Sequence, residues 1–130
     1  MNALIEAAKA VRMRAHAPYS NYLVGAAVLD EKGRTHAGCN VENAAYPEGI
    51  CAETSAIAAM VSAGGRRIVA IAVVAGHQDR QGLEAGTPCG GCRQRISEFA
   101  DANTLVILLD GQGVPRSHTI AELLPGSFHL

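Results

Sequence analysis

Apolar residues recur along this chain with two alternating periods. From Asn2 to about Ala15, Leu4, Ile5, Ala8, Val11 and Arg12 return at helical spacing, until Ala17-Pro18-Tyr19-Ser20-Asn21 breaks the pattern. Tyr22 to Leu29 is rich in β-branched and small apolar residues and runs into Asp30-Glu31-Lys32-Gly33, a turn sequence. Arg34 to Val41 then reads as the returning strand of a hairpin. Pro47-Glu48-Gly49 interrupts, and Ile50 to about Ala63 predicts a helix closed by Gly64-Gly65. Its alanines, on several faces, let another backbone approach closely. Arg67 to Ala75 is a continuous Val/Ile/Ala run, the pattern of a strand covered on both faces. A short helix over Gly91 to Ala100, a buried strand over Leu105 to Leu109, a short strand near Val114 and a helical turn over Ile120 to Leu124 complete the chain. The prediction is an α/β fold, a three-layer sandwich around a mixed sheet of about five strands.

Composition narrows the class of protein. With 130 residues, 48% of them hydrophobic, the chain can bury a core without disulfide staples. No repeat or linker divides it, so residues 1–130 are expected to form one domain. Lys+Arg 11 against Asp+Glu 12 gives a formal charge of -1, which offers no footprint for nucleic acid and no polybasic grip on a membrane. No apolar run approaches the roughly 20 residues of a membrane helix. Glu6 stands where a signal peptide would carry positive charge, so a cytoplasmic location is expected. Four cysteines would suit a disulfide framework only in an oxidising compartment, which nothing here signals.

The cysteines matter through their neighbours. Cys89 and Cys92 stand three apart at the start of a predicted helix, within Pro88-Cys89-Gly90-Gly91-Cys92, so both thiols face one point. Cys51 opens another helix, in Cys51-Ala52-Glu53. Three thiolates on one metal leave a fourth tetrahedral position open, the arrangement of a catalytic zinc, and thiolates select zinc over hard cations. Two helix N-termini, each worth roughly half a positive charge, would face the cluster. Glu53 follows Cys51 by two residues and can lie beside the open position, shuttling protons of an activated water. A ligand, one residue, Glu, then Pro-Cys-x-x-Cys is the pattern of zinc deaminases. Cys-x-x-Cys is also shared by structural zinc sites and redox pairs, which stay open on spacing alone. Cys39, in a strand-like segment, suits a buried inert thiol.

Gly38-Cys39-Asn40-Val41-Glu42-Asn43-Ala44-Ala45-Tyr46, Cys51-Ala52-Glu53 and Thr87-Pro88-Cys89-Gly90-Gly91-Cys92-Arg93-Gln94 resemble the small homotetrameric zinc-dependent cytidine deaminases. Pro18 to Ala27 and Glu122 to Phe128 extend the likeness, with the motifs in family order. The resemblance implies zinc ligands at Cys51, Cys89 and Cys92 and a proton shuttle at Glu53. It implies a substrate pocket that uses Ala52, with Asn40 and Glu42 on a ribose hydroxyl. Tyr22 and Phe128 would line the base pocket, Phe128 being supplied by a neighbouring subunit. The implied reaction is hydrolytic deamination of cytidine and 2′-deoxycytidine, with release of ammonia, in pyrimidine salvage. The implied partners are a nucleoside and three further copies of the chain.

The chain also departs from that family. Thr54 and Ser55 follow Glu53 where many relatives carry an arginine that partly neutralises the thiolates, which leaves a more negative site or leaves Arg93 or a neighbouring subunit to compensate. Tyr22 stands where phenylalanine is common, and Pro47-Glu48-Gly49 replaces more usual small or polar residues. His16, His36, His77, His118 and His129 fall outside the motifs and read as surface or packing residues. A deaminase of a modified nucleoside such as blasticidin S shares the zinc motifs, but Asn40-Val41-Glu42-Asn43 and Phe128 favour cytidine. A zinc-stabilised binding module is the alternative from another class, and it has no use for Glu53. A nucleic-acid-editing deaminase is disfavoured by the near-neutral charge.

Overall fold

A computed structural model describes residues 2–80 and 82–130. The elements run α1 (Asn2–Arg12), β1 (Tyr22–Asp30), β2 (Thr35–Cys39), a 3₁₀ turn (Tyr46–Glu48), α2 (Ala52–Ser62), β3 (Ile68–His77), α3 (Gly90–Phe99), β4 (Leu105–Leu109), β5 (Pro115–His118) and α4 (Ile120–Leu123). The strands form one five-stranded sheet in the order β2-β1-β3-β4-β5. Among the described strands only β3 and β4 pair in parallel, and α3 is the crossover such a pair requires. The remaining neighbours are antiparallel, so the sheet is mixed as expected.

Alternation along the strands divides the core in two. Ala26, Val28, Ile71, Val73, Val106 and Leu108 face Ala52, Ala56, Ile57 and Met60 of α2 and Ile96 of α3. Ala27, Ala70, Ala72, Val74, Ile107 and Leu109 face Leu4, Ile5 and Ala8 of α1. The result is three layers, with β3 covered on both sides. Several boundaries differ from the sequence expectation: α1 ends at Arg12 rather than near Ala15, and β3 runs on to His77. Ile50 does not begin the helix but bridges Val41, and β2 stops at Cys39. A backbone ladder between Val41 and Ile50 satisfies polar groups that helical periodicity cannot foresee. No helix among the described residues is long and apolar enough to cross a membrane.

At the far end of β1, buried Asp30 accepts hydrogen bonds from the backbone of Lys32 and Arg34, from the Arg34 guanidinium, and at 2.8 Å from His36. Burial alone would push its carboxyl up, but these bonds outweigh it and hold the group well below the ordinary carboxylate range. His36 thus serves packing, as its sequence context suggests.

Two glycines set the helix-to-sheet distance. A Cβ on Gly25 would stand 2.1 Å from the Ala8 carbonyl oxygen in α1, and one on Gly38 would stand 2.4 Å from the Ala56 nitrogen in α2. Both neighbours are backbone and cannot swing away. Gly38→Ala should therefore push α2 off β2, at a cost of about 1–3 kcal/mol, the usual penalty for overpacking. Gly111→Ala, with nothing within 4 Å of the new atom, should leave thermal unfolding unchanged. Equal unfolding midpoints for the two variants would refute this account of the packing.

Candidate active site

The Cys51, Cys89 and Cys92 sulfurs lie within 4.8 Å of one another at the end of the sheet where β3 finishes. Cys51 caps the N-terminus of α2 and Cys89 that of α3, both in extended backbone, and Cys92 sits in the first turn of α3. Neither cap makes a side-chain hydrogen bond to its helix, so the free N–H groups and positive ends of both helices are left to the sulfurs. The donor set fits zinc: tetrahedral Zn–S bonds of ~2.3 Å place sulfurs ~3.8 Å apart, and three thiolates leave one position open. A hydrogen bond with Cys92 pulls the Cys51 thiol below its ordinary range, while the same bond, burial and the Glu53 charge push Cys92 up. Cys39, at the end of β2, stays outside the cluster.

Cys51, Cys89 and Glu53 line a cavity of about 360 Å³, the size that holds a small organic molecule. Glu53, in the first turn of α2, is only 5% exposed. Burial pushes its carboxyl up, and its own backbone N–H, the Cys92 thiol and the Arg95 charge pull it only part of the way back. A carboxyl raised in this way holds a proton more readily than a free one. Buried Ala52 lines the same wall.

Asn40 and Glu42 line the opposite side of the cavity, beyond the end of β2. Asn40 extends the β1–β2 ladder with its side chain, Oδ1 accepting from the Val24 N–H and Nδ2 donating to the Tyr22 carbonyl, both at 2.9 Å. One amide hydrogen remains for a ligand. Glu42 Oε1 accepts from the Tyr19 and Ser20 N–H groups, and Oε2 accepts from the Ser20 hydroxyl at 2.5 Å. These bonds, the hydroxyl first, outweigh desolvation and hold Glu42 below the usual carboxylate range. Asn21, the residue after Ser20, adopts a left-handed φ of 57° just before β1 begins. Tyr22 lines the cavity with its ring edge-on to His77, centroids 5.0 Å apart.

Some features escaped the sequence reading. Glu84 lines the cavity and accepts from His77 N and Nδ1 at 2.6 and 2.8 Å, held there by a bridge to Ala75. It lies in an irregular loop, where no periodicity marks it. Ser20 lies in a segment that the resemblance includes, but its partner is 22 positions away. The Arg93 guanidinium donates to Pro88 O, Leu123 O and Thr87 Oγ1, all neutral acceptors, and so ties the Cys89 loop to α4 while keeping its charge. Phe128 is 67% exposed and does not line the cavity of its own chain, although Gln94 holds its carbonyl at 3.1 Å.

Comparison with known proteins agrees with this geometry. Residues 1–108 match the family model of the cytidine and deoxycytidylate deaminase zinc-binding region. A cytidine deaminase from Sporosarcina psychrophila is 45% identical over 125 residues, 96% of this chain and 88% of that protein. One from Mycobacterium tuberculosis is 40% identical over 116 residues, 89% of this chain and 80% of its own length. The crystal structure of cytidine deaminase from Burkholderia pseudomallei superposes with a TM-score of 0.86 at 43% identity, covering 98% of each chain. With its three converging thiols, its buried glutamate and these likenesses, the chain belongs to the cytidine and deoxycytidylate deaminase zinc-binding family.

Proposed function

We propose that this protein hydrolyses cytidine and 2′-deoxycytidine to the corresponding uridines and ammonia, with residues 1–130 acting as one catalytic domain in the cytoplasm. The observation that carries the reading is the convergence of three sulfurs beside a buried, raised carboxyl in a cavity of nucleoside-base size. Cys51, Cys89 and Cys92 would hold zinc, which when bound supplies Lewis-acid activation of water at its open position.

The chain supplies binding and proton movement. Glu53 takes one proton from the attacking water and delivers it to N3 of the pyrimidine as oxygen bonds to C4. It then carries the second water proton to the exocyclic nitrogen, and the C4–N bond breaks to release ammonia. Water is consumed and one ammonia leaves, so the atoms balance. Ala52 and Tyr22 border the base. Asn40 offers its spare N–H and Glu42 its remaining lone pairs to a ribose hydroxyl. Glu42, Glu53 and Glu84 line the cavity without Lys or Arg among its described lining residues, which favours an uncharged nucleoside over a phosphorylated one.

A homotetramer completes the site in this reading. Val41, Ile50 and Tyr46 are 41%, 44% and 79% exposed near the cavity, and Phe128 is free to stack on a base held by a neighbour. Such an aromatic contact is worth about 0.5–1.5 kcal/mol beyond its area.

Three outcomes test the proposal. Metal analysis should give about one zinc per chain, lost in Cys→Ala variants at 51, 89 or 92 and kept in Cys39→Ala. Zinc retained after Cys89→Ala and Cys92→Ala together would sink the ligand assignment. Glu53→Gln should keep zinc but lose turnover by ~10²–10⁴-fold, the range of general acid–base catalysis, and near-native turnover would remove Glu53 from the mechanism. Sedimentation should show four chains, and Phe128→Ala should weaken cytidine binding about 2- to 12-fold. A fully active monomer would refute the shared pocket.

A further inference from the structure

Tyr22, at the start of β1, borders the cavity, and His77, its partner across the sheet, stands behind it. The two rings meet edge-on at 5.0 Å with 63° between their planes. An imidazole at a strand end turns about a soft, two-fold torsion, so it supports a neighbour only when something fixes it. Glu84 does so. Its Oε2 accepts from the His77 N–H at 2.6 Å and from Nδ1 at 2.8 Å, which places a proton on Nδ1 and sets the plane of the ring. Its Oε1 accepts from the exposed Arg80 guanidinium at 3.2 Å. Both carboxylate oxygens are thus engaged within the chain.

Backbone contacts hold Glu84 itself. Its N–H donates to the Ala75 carbonyl at 2.7 Å, one antiparallel bridge added near the end of β3. Leu83 packs on the α1 side of the core, and a Cβ on Gly76 would stand 3.1 Å from the Gly82 carbonyl oxygen, so the loop crosses β3 in close contact. At the far end of the tyrosine, a Cβ on Gly86 would stand 3.3 Å from the hydroxyl. The stretch from Gly82 to Gly86 thus braces the Tyr22 ring twice: at the hydroxyl through Gly86, and on its flank through Glu84 and His77.

We infer that Glu84 and His77 are positioning residues for the substrate: the pair holds the Tyr22 ring in place as the wall against which the pyrimidine is seated. The inference rests on the reading of the cavity as a cytosine-nucleoside site. It gives neither residue a contact with the reacting atoms. A wall that holds the base equally in the ground state and the transition state contributes to KM and not to kcat.

Steady-state kinetics of the zinc-loaded protein with cytidine test it. Glu84→Ala should raise KM about 2- to 12-fold, the range of one aromatic contact, with kcat close to the parent's and zinc content unchanged. Glu84→Gln should recover most of the loss, because an amide oxygen still accepts from His77. In a Tyr22→Leu background Glu84→Ala should add nothing, since the pair acts through that ring. His77→Ala, which leaves the Glu84 backbone untouched, should raise KM over the same range and serves as a second route if Glu84→Ala fails to fold. An unchanged KM in either alanine variant overturns the inference. So does an equal loss in Glu84→Gln, or a full additional loss on top of Tyr22→Leu, because Glu84 would then act on the substrate by its own charge. A fall in kcat and zinc content alongside the rise in KM overturns it in favour of a structural role. If the parent turns over no cytidine, the reading of the cavity falls with it.

Discussion

Three thiolates and a carboxylate can be gathered at one end of a sheet only if positive charge is gathered with them. Two helix N-termini supply most of it here. Cysteine takes the capping position of both α2 and α3, where a hydroxyl or carboxylate would ordinarily satisfy the first amides. The ends of the two helices and the sulfurs therefore need each other. This need fixes where α2 and α3 begin, and the packing behind them holds that geometry. Gly38 admits the backbone of α2 against β2, and Ala52, Ala56 and Met60 lock its inner face to the sheet without solvent exposure.

Within the cavity, two glutamates eleven positions apart are driven in opposite directions. Glu53 is enclosed in the first turn of α2, and burial raises its carboxyl above the ordinary range. Glu42 receives two backbone amides and a serine hydroxyl, which fix it as an anion that accepts hydrogen bonds. Neither shift follows from the residue type; each follows from what surrounds the side chain.

The sheet brings these groups together because its strands end at a common edge. Tyr22 begins β1 opposite His77, which ends β3, and Cys39 ends β2 opposite Gly25. The loops leaving that edge carry Asn40, Glu42 and Glu84, while the helices starting there carry the sulfurs and Glu53. The opposite edge holds Asp30 and its hydrogen bonds, a structural cluster. Stability and chemistry are kept at opposite ends of the same strands.

Much of this was legible in the linear order of residues. The periodicities predict every strand and the four helices, because burial on one face or both imposes its own spacing on apolar residues. Cys51-Ala52-Glu53 and Pro88-Cys89-Gly90-Gly91-Cys92 reveal a metal site because ligands close in sequence at a helix start are also close in space. Other features depend on distance through space and leave no local pattern. Ser20 meets Glu42, Glu84 meets His77 across a loop, and Ile50 pairs with Val41 instead of starting a helix. Arg93 and Arg95 read alike in the chain, two residues apart on one helix. Only the folded structure separates them: Arg93 is turned toward loop and α4 oxygens that satisfy it, and Arg95 lies exposed in the groove between α2 and α3. Spacing along the chain decides which residues a helix or strand presents together, whereas the approach of distant segments decides what each charge finally meets.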